Sequence, residues 1–192
     1  MRQVLDLTAD AFVFFGKGGE RMQTGEKHYN IIFPIWLLWL FPPAWLFVLP
    51  ANYLIDWAVL RLTMRRLRIV DARAKARTAA WRAWLVGLGA DFVGTLAMFL
   101  PNLLGTDPST TFGRWMMDNI VNAVSYNPFQ TGAAFAYTAA CLLLSAALIY
   151  LGNSRWGLRK ALPQARERKA AAAALAVFTA PYLFYLPTQW FF

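Results

Sequence analysis

Cysteine and histidine are almost missing from this chain: 192 residues contain one of each, Cys141 and His28. One cysteine excludes an intrachain disulfide and makes any dithiol redox mechanism depend on a partner. One histidine excludes a bis-histidine haem site and any multi-histidine metal cage. No metal site and no cofactor is expected. The N-terminal stretch FFGKGGERMQTG is glycine-rich, but it lacks the Gly-Lys-Ser/Thr ending and preceding strand of a phosphate loop. Acids are scarce as well, ten Asp and Glu against nineteen Lys and Arg plus an apolar majority. No nucleophile-plus-base constellation and no clustered Asp/His/Glu motif is present, and Ser145 has no histidine in reach, so no enzyme is expected.

What the chain has in excess is apolar surface. It is 58% hydrophobic and 16% aromatic, with 15% charged residues, and the apolar residues come in blocks rather than stripes. A soluble helix buries a stripe about 100° wide; segments apolar on every face are what a lipid solvent selects. Four such blocks occur, at 31–60, 83–105, 129–151 and 170–190. Crossing the hydrocarbon takes about 20 helical residues, so the last three fit one helix each. The first would be about 45 Å long as a straight helix, and it contains Pro34, Pro42, Pro43 and Pro50. Kinks are expected there. Ile31–Phe41 reads as an interfacial lead-in, with the main span starting near Pro43; a re-entrant hairpin is the alternative. No secretory signal is expected, because this run is far longer than a signal's apolar region.

The expected fold is therefore all-α: a polytopic membrane protein forming one domain over 1–192. It has four transmembrane helices, a Pro-kinked first segment and short interfacial helices. One interfacial helix is expected in the tail at 1–29, where 3–15 carry Val4, Leu5, Phe12 and Phe15 at helical spacing. A second is expected at 111–126, with Trp115, Met116, Ile120 and Val124 on one side.

The net charge of +9 does not point to nucleic acid, because the basic residues cluster between apolar blocks. Region 61–82 holds eight basic side chains against one acid, 106–128 one against two, and 152–169 six against one. The alternation of +7, −1 and +5 follows the positive-inside rule and predicts that 61–82 and 152–169 are cytoplasmic loops. The protein is then expected in a bacterial inner (plasma) membrane with both termini outside, or with a cytoplasmic N-terminus if the first block turns back. Trp81, Trp84, Trp115, Tyr126, Phe129, Tyr150, Trp156 and Trp190 mark the block edges, where amphipathic rings favour the headgroup level. The 61–82 loop, with few breakers, reads as a basic continuation of the first helix. The five alanines at 170–174 read as a close helix–helix interface.

Two carboxylates stand out inside the apolar blocks. Asp56 lies five residues before Arg61, about 7–8 Å inside the boundary, and Asp91 nine residues after Arg82, about 13–14 Å in. A charge at a helix centre costs about 2.5–3.5 kcal/mol on insertion scales, so it needs a partner, water or a proton. Asn52 shares a helix face with Asp56; Gly87, Asp91, Gly94 and Met98 share another; Thr138, Cys141 and Ser145 form a polar stripe on the third block. A polar interior of Asn52, Asp56, Asp91, Thr138 and Ser145 is expected. The competing structural reading pairs Asp56 with Arg61, Arg82 or an interfacial arginine, and has Asp91 cap or hydrogen-bond a neighbouring helix.

The function expected from these features is a homo-oligomeric channel or pore subunit, cation-conducting through Asp91. The alternative is a non-conducting anchor or sensor subunit of a transport, envelope or phage-defence assembly. It would recruit a cytoplasmic protein through Arg65, Arg66, Arg68, Arg73, Arg155, Arg159 and Lys160, which also suit anionic lipid. No internal repeat of the kind that builds transporters is seen.

Overall fold

A computed structural model describes residues 42–104 and 107–190. The tail at 1–29 and the lead-in at Ile31–Phe41 lie outside them. Every regular element among the described residues is helical. Helix α1 is Pro42–Arg66, α2 is Ala72–Leu103, α3 is Thr111–Met116, α4 is Asn122–Tyr126, α5 is Gly132–Gly152 and α6 is Ala165–Phe178. Three helical stretches are long and apolar enough to cross a membrane: Trp45–Arg66, Ala72–Leu103 and Gly132–Gly157.

The basic region 61–82 is mostly helix, shared between the end of α1 and the start of α2. α1 begins at Pro42-Pro43, where fixed φ and a missing N–H cost a helix nothing. It ends in a Schellman turn: Ile69 N–H donates to Met64 O and Arg68 N–H to Arg65 O, both at 3.0 Å. Arg68 takes the left-handed position, φ 56°, that glycine usually fills. Ile69 folds back onto the core. At about 48 Å for 32 residues, α2 exceeds the hydrocarbon thickness and carries its basic first turns beyond the apolar part.

The turn between α1 and α2 and the turn between α5 and α6 share one core. Leu60, Met64, Ala76, Ala80, Leu158, Leu162, Ala171 and Leu175 pack together there. Both basic regions therefore sit at the same end of the bundle. Two of the five alanines, Ala171 and Ala172, are fully buried in this core, so the alanine run makes its close approach within the chain. Arg168 locks the α5–α6 turn by donating to the carbonyls of Ser154 (2.7 Å), Leu162 (3.0 Å) and Pro163 (2.8 Å).

At the far end, Thr110 caps α3 and Thr131 caps α5, each hydroxyl accepting an N–H at 3.0 Å. Between α3 and α4 a π-helical turn, Met117–Val121, replaces the regular ladder. It shifts the 3.6-residue phase on which one continuous face for 111–126 depends. Val121, Ala123 and Val124 turn inward while Trp115 stays exposed.

The fourth apolar block is helical only in part. α6 runs 14 residues, about 21 Å, and stops at Phe178. Pro181 and two 3₁₀ turns, Tyr182–Tyr185 and Thr188–Trp190, follow. The block nevertheless runs the length of α5. Arg168 bonds Ser154, just beyond the end of α5, and Tyr185 O–H donates to Phe135 O, near its start, at 3.1 Å.

Prolines also sit inside α1, at Pro50, and α2, at Pro101. Each removes the N–H owed to the carbonyl four residues back. For Pro101 that carbonyl is Ala97 O, and the Tyr137 hydroxyl of α5 donates to it. Just ahead of Pro50, Trp84 Nε1 of α2 donates to Leu49 O at 3.1 Å, and its ring meets Tyr53 edge-on at 6.5 Å. Tyr137→Phe is expected to lower stability by about 1 kcal/mol and to be nearly neutral in a Pro101→Ala background, where the backbone N–H returns. Thermal unfolding of the four variants in detergent reads the coupling; equal losses in both backgrounds would assign the hydroxyl no such role.

Candidate functional site

α1 and α2 pack as an antiparallel hairpin, and small residues on α2 let the helices approach. Gly87 faces Asp56: a Cβ placed there would lie 3.7 Å from Asp56 Oδ2. Asp56 is 5% exposed and Asp91 7%, and the two carboxyl groups are near enough for their charges to interact. The structure brings together two acids that lie 35 positions apart in the chain.

The arginines weighed as partners for Asp56 are occupied elsewhere. Arg61 lies over Trp57, 5.3 Å from its ring centre, and Arg82 lies between Trp81 and Trp156, at 5.2 and 5.9 Å. Cation–π contact, rather than a carboxylate, holds both guanidinium groups. What does reach Asp56 is the hydroxyl of Thr179, at the end of α6. The same hydroxyl stands 2.9 Å from Leu175 O. It has one proton to give to two acceptors.

Around Asp91 the interior is polar and incompletely paired. Asp91 Oδ1, Thr95 Oγ1 and Thr138 Oγ1 are buried with no hydrogen-bond partner among the described residues. Such groups are rare in folded proteins because each costs about 1–3 kcal/mol. Thr95 stands one turn beyond Asp91 on α2. Ser145, fully buried on α5, donates to Ala90 O at 3.2 Å. Gly94 admits that contact: a Cβ there would collide with Ser145 Oγ and the Phe184 ring. Cys141 is buried between Thr138 and Ser145 on the same face. Asn52 is half-buried one turn before Asp56.

Of the expected interior, Asp56 and Asp91 come within electrostatic range of each other, and Ser145 closes on the backbone one residue before Asp91. Thr138 is buried with a free hydroxyl. Thr95, Thr179 and Tyr137 did not figure in the sequence reading. Thr95 was signalled by its i, i+4 spacing from Asp91, and Thr179 by Pro181 two residues later. Tyr137 carried no local signal, because its role comes from a proline on another helix.

The basic residues form no part of this interior. Arg65, Arg66, Arg68, Arg73, Arg155, Arg159 and Lys160 are all exposed at the basic end. Arg73 borders an open groove of about 690 Å³ with Asp71, Arg77, Thr78 and Trp81. Among the described residues no three metal-ligating side chains gather. Compared with protein-family models, with curated proteins and with solved structures, the chain gives no significant match.

Gly94→Ala is expected to cost about 1–3 kcal/mol through overpacking against Ser145 and Phe184. Gly89→Ala, whose Cβ meets nothing within 4 Å, leaves the fold intact. Detergent melting curves of the two single variants separate a packing seam from a general intolerance of alanine.

Proposed function

We propose that this chain is a cation-conducting membrane subunit whose cation is the proton, and that the Asp56–Asp91 pair is its binding site. The observation that carries the reading is two buried carboxylates near enough for their charges to interact, with no ion pair to either among the described residues. Two neighbouring anions in hydrocarbon are the costliest state such a pair can take; a proton taken up by either removes one charge and the repulsion together. Buried ionisable groups of this kind mark proton relays in pumps and channels. The unpartnered Thr95 and Thr138 hydroxyls extend the polar route along the seam between α2 and α5.

In this reading the fourth apolar block is the fourth crossing, broken at Thr179–Pro181. Irregular backbone at membrane depth occurs where protein buries it or where it lines an ion route, and the break stands beside Asp56. Pro50 kinks the first crossing. The basic end is cytoplasmic by the positive-inside rule, in a bacterial inner membrane. The subunit assembles with copies of itself, and each copy carries its own route, because Asp91 faces its own bundle rather than a shared axis.

A second reading rests on a separate observation, the exposed cations Arg65, Arg66, Arg68, Arg73, Arg155, Arg159 and Lys160 gathered at one end. In it the chain anchors an acidic cytoplasmic protein, and conduction is absent. Purified protein in liposomes carrying an internal pH dye, under an imposed proton gradient, decides between them. The proton reading expects Asp91→Asn to cut flux at least about tenfold, roughly 1.4 kcal/mol of barrier, with Asp91→Glu retaining part of it and both variants still folded. Wild-type flux no higher than that of empty vesicles, or undiminished in Asp91→Asn, overturns it. The anchoring reading expects neutralisation of Arg65, Arg66, Arg68 and Arg73 to release the partner while Asp91→Asn is silent.

A further inference from the structure

A second site lies at the basic end, remote from the carboxylates. The first turns of α2 and the turn between α5 and α6 enclose a cavity of about 270 Å³. Three cations reach it from two elements: Lys75 and Arg82 from one face of α2, and Lys160 from the turn. Thr78 lies between the two α2 cations on the same face, its hydroxyl donated to Ala74 O at 2.6 Å. Arg82 is held on the faces of Trp81 and Trp156, so its position is fixed without its charge being cancelled. Three cations lining one pocket, with no ion pair to them among the described residues, make an anion site.

We propose that this cavity binds the phosphodiester headgroup of an anionic phospholipid. Its surroundings select a lipid rather than free phosphate. Trp81 and Trp156 are 46% and 52% exposed, the half-wet setting of indoles at headgroup depth. One turn further along α2, Leu85 exposes apolar surface, as does Leu151 near the end of α5; acyl chains below the headgroup would lie against them. The groove bordered by Arg73 and Arg77 continues the positive surface on the other side of Thr78 and Trp81, so approaching anions are drawn toward the cavity from the aqueous side.

The test is native mass spectrometry of the full chain in mild detergent, with phosphatidylglycerol titrated against phosphatidylcholine. Wild type is expected to retain one phosphatidylglycerol in preference to phosphatidylcholine. Lys75→Gln with Lys160→Gln is expected to weaken retention roughly twentyfold, each lysine near an anionic headgroup being worth about a factor of five. Arg65→Gln with Arg66→Gln removes the same charge away from the cavity and leaves retention within about twofold. Both variant pairs change exposed or half-exposed side chains, and far-ultraviolet circular dichroism checks that they stay folded. Equal losses in the two double variants would reduce the effect to general surface charge and overturn the site. So would unchanged retention in Lys75→Gln/Lys160→Gln. Displacement of the lipid by millimolar inorganic phosphate would reassign the cavity to free phosphate and overturn the lipid assignment.

Discussion

Hydrocarbon gives a peptide group no hydrogen bond, so every gap in a backbone ladder must be closed from within the protein. Two of the gaps that proline opens in this chain are closed by a tyrosine hydroxyl. Pro101 strips Ala97 O of its donor, and Tyr137 of α5 supplies one. Beside Pro50, Leu49 O receives the indole N–H of Trp84. Where α6 stops, Pro181 withholds the N–H owed to Val177 O, and the Tyr182 hydroxyl supplies a donor. The Tyr137 and Trp84 bonds each join two different helices. They set the register of α2 against α5 and of α1 against α2, so the breaks in local structure become the fixed points of tertiary structure.

Helix α2 is the element on which the others converge, and its composition explains why. Ala76, Ala79, Ala80 and Ala83 are buried at the basic end, and Gly87, Ala90 and Gly94 continue the small surface deeper. Lipid tails are as apolar as leucine, so helices in a bilayer gain little by burying large side chains; they gain by close van der Waals contact, which small residues allow. The large apolar residues are accordingly left outside, among them Phe92, Val93, Leu96 and Leu100 on α2 itself. This packing also explains how the carboxylates come to be interior. A face of alanine and glycine has room beside it, and Asp56 and Asp91 occupy that room instead of projecting into lipid.

Much of this arrangement was legible in the sequence, because hydropathy and charge act locally. The apolar blocks, the two basic regions at one end and the shared face of Gly87, Asp91, Gly94 and Met98 follow from spacing alone. The contact between Asp56 and Asp91 does not, since it depends on how α1 and α2 slide past each other. Nor did hydropathy reveal that the fourth block changes character at Thr179: Ala, Phe, Tyr and Leu score as apolar whether or not they hold a helix. Pro181 was the available sign. The π turn at Met117–Val121 was equally hidden, because a single widened turn leaves composition untouched and moves only the phase of the residues beyond it.

The position of Thr179 ties the broken helix to the carboxylate pair. Leu175 O receives two bonds from this residue, the N–H at 2.8 Å and the hydroxyl at 2.9 Å. An ionised Asp56 is the stronger acceptor and draws the hydroxyl proton to itself. A protonated Asp56 instead donates to the hydroxyl oxygen and leaves the Thr179 proton on Leu175 O. The carbonyl keeps its N–H partner whichever acceptor the hydroxyl takes, so the helix end is not stripped, and only one of its two bonds depends on the protonation of Asp56. A continuous helix would lack that freedom, because its hydroxyls return to their own backbone undisturbed. The break beside Asp56 therefore places the end of α6 where the charge of that carboxylate bears on its last hydrogen bonds.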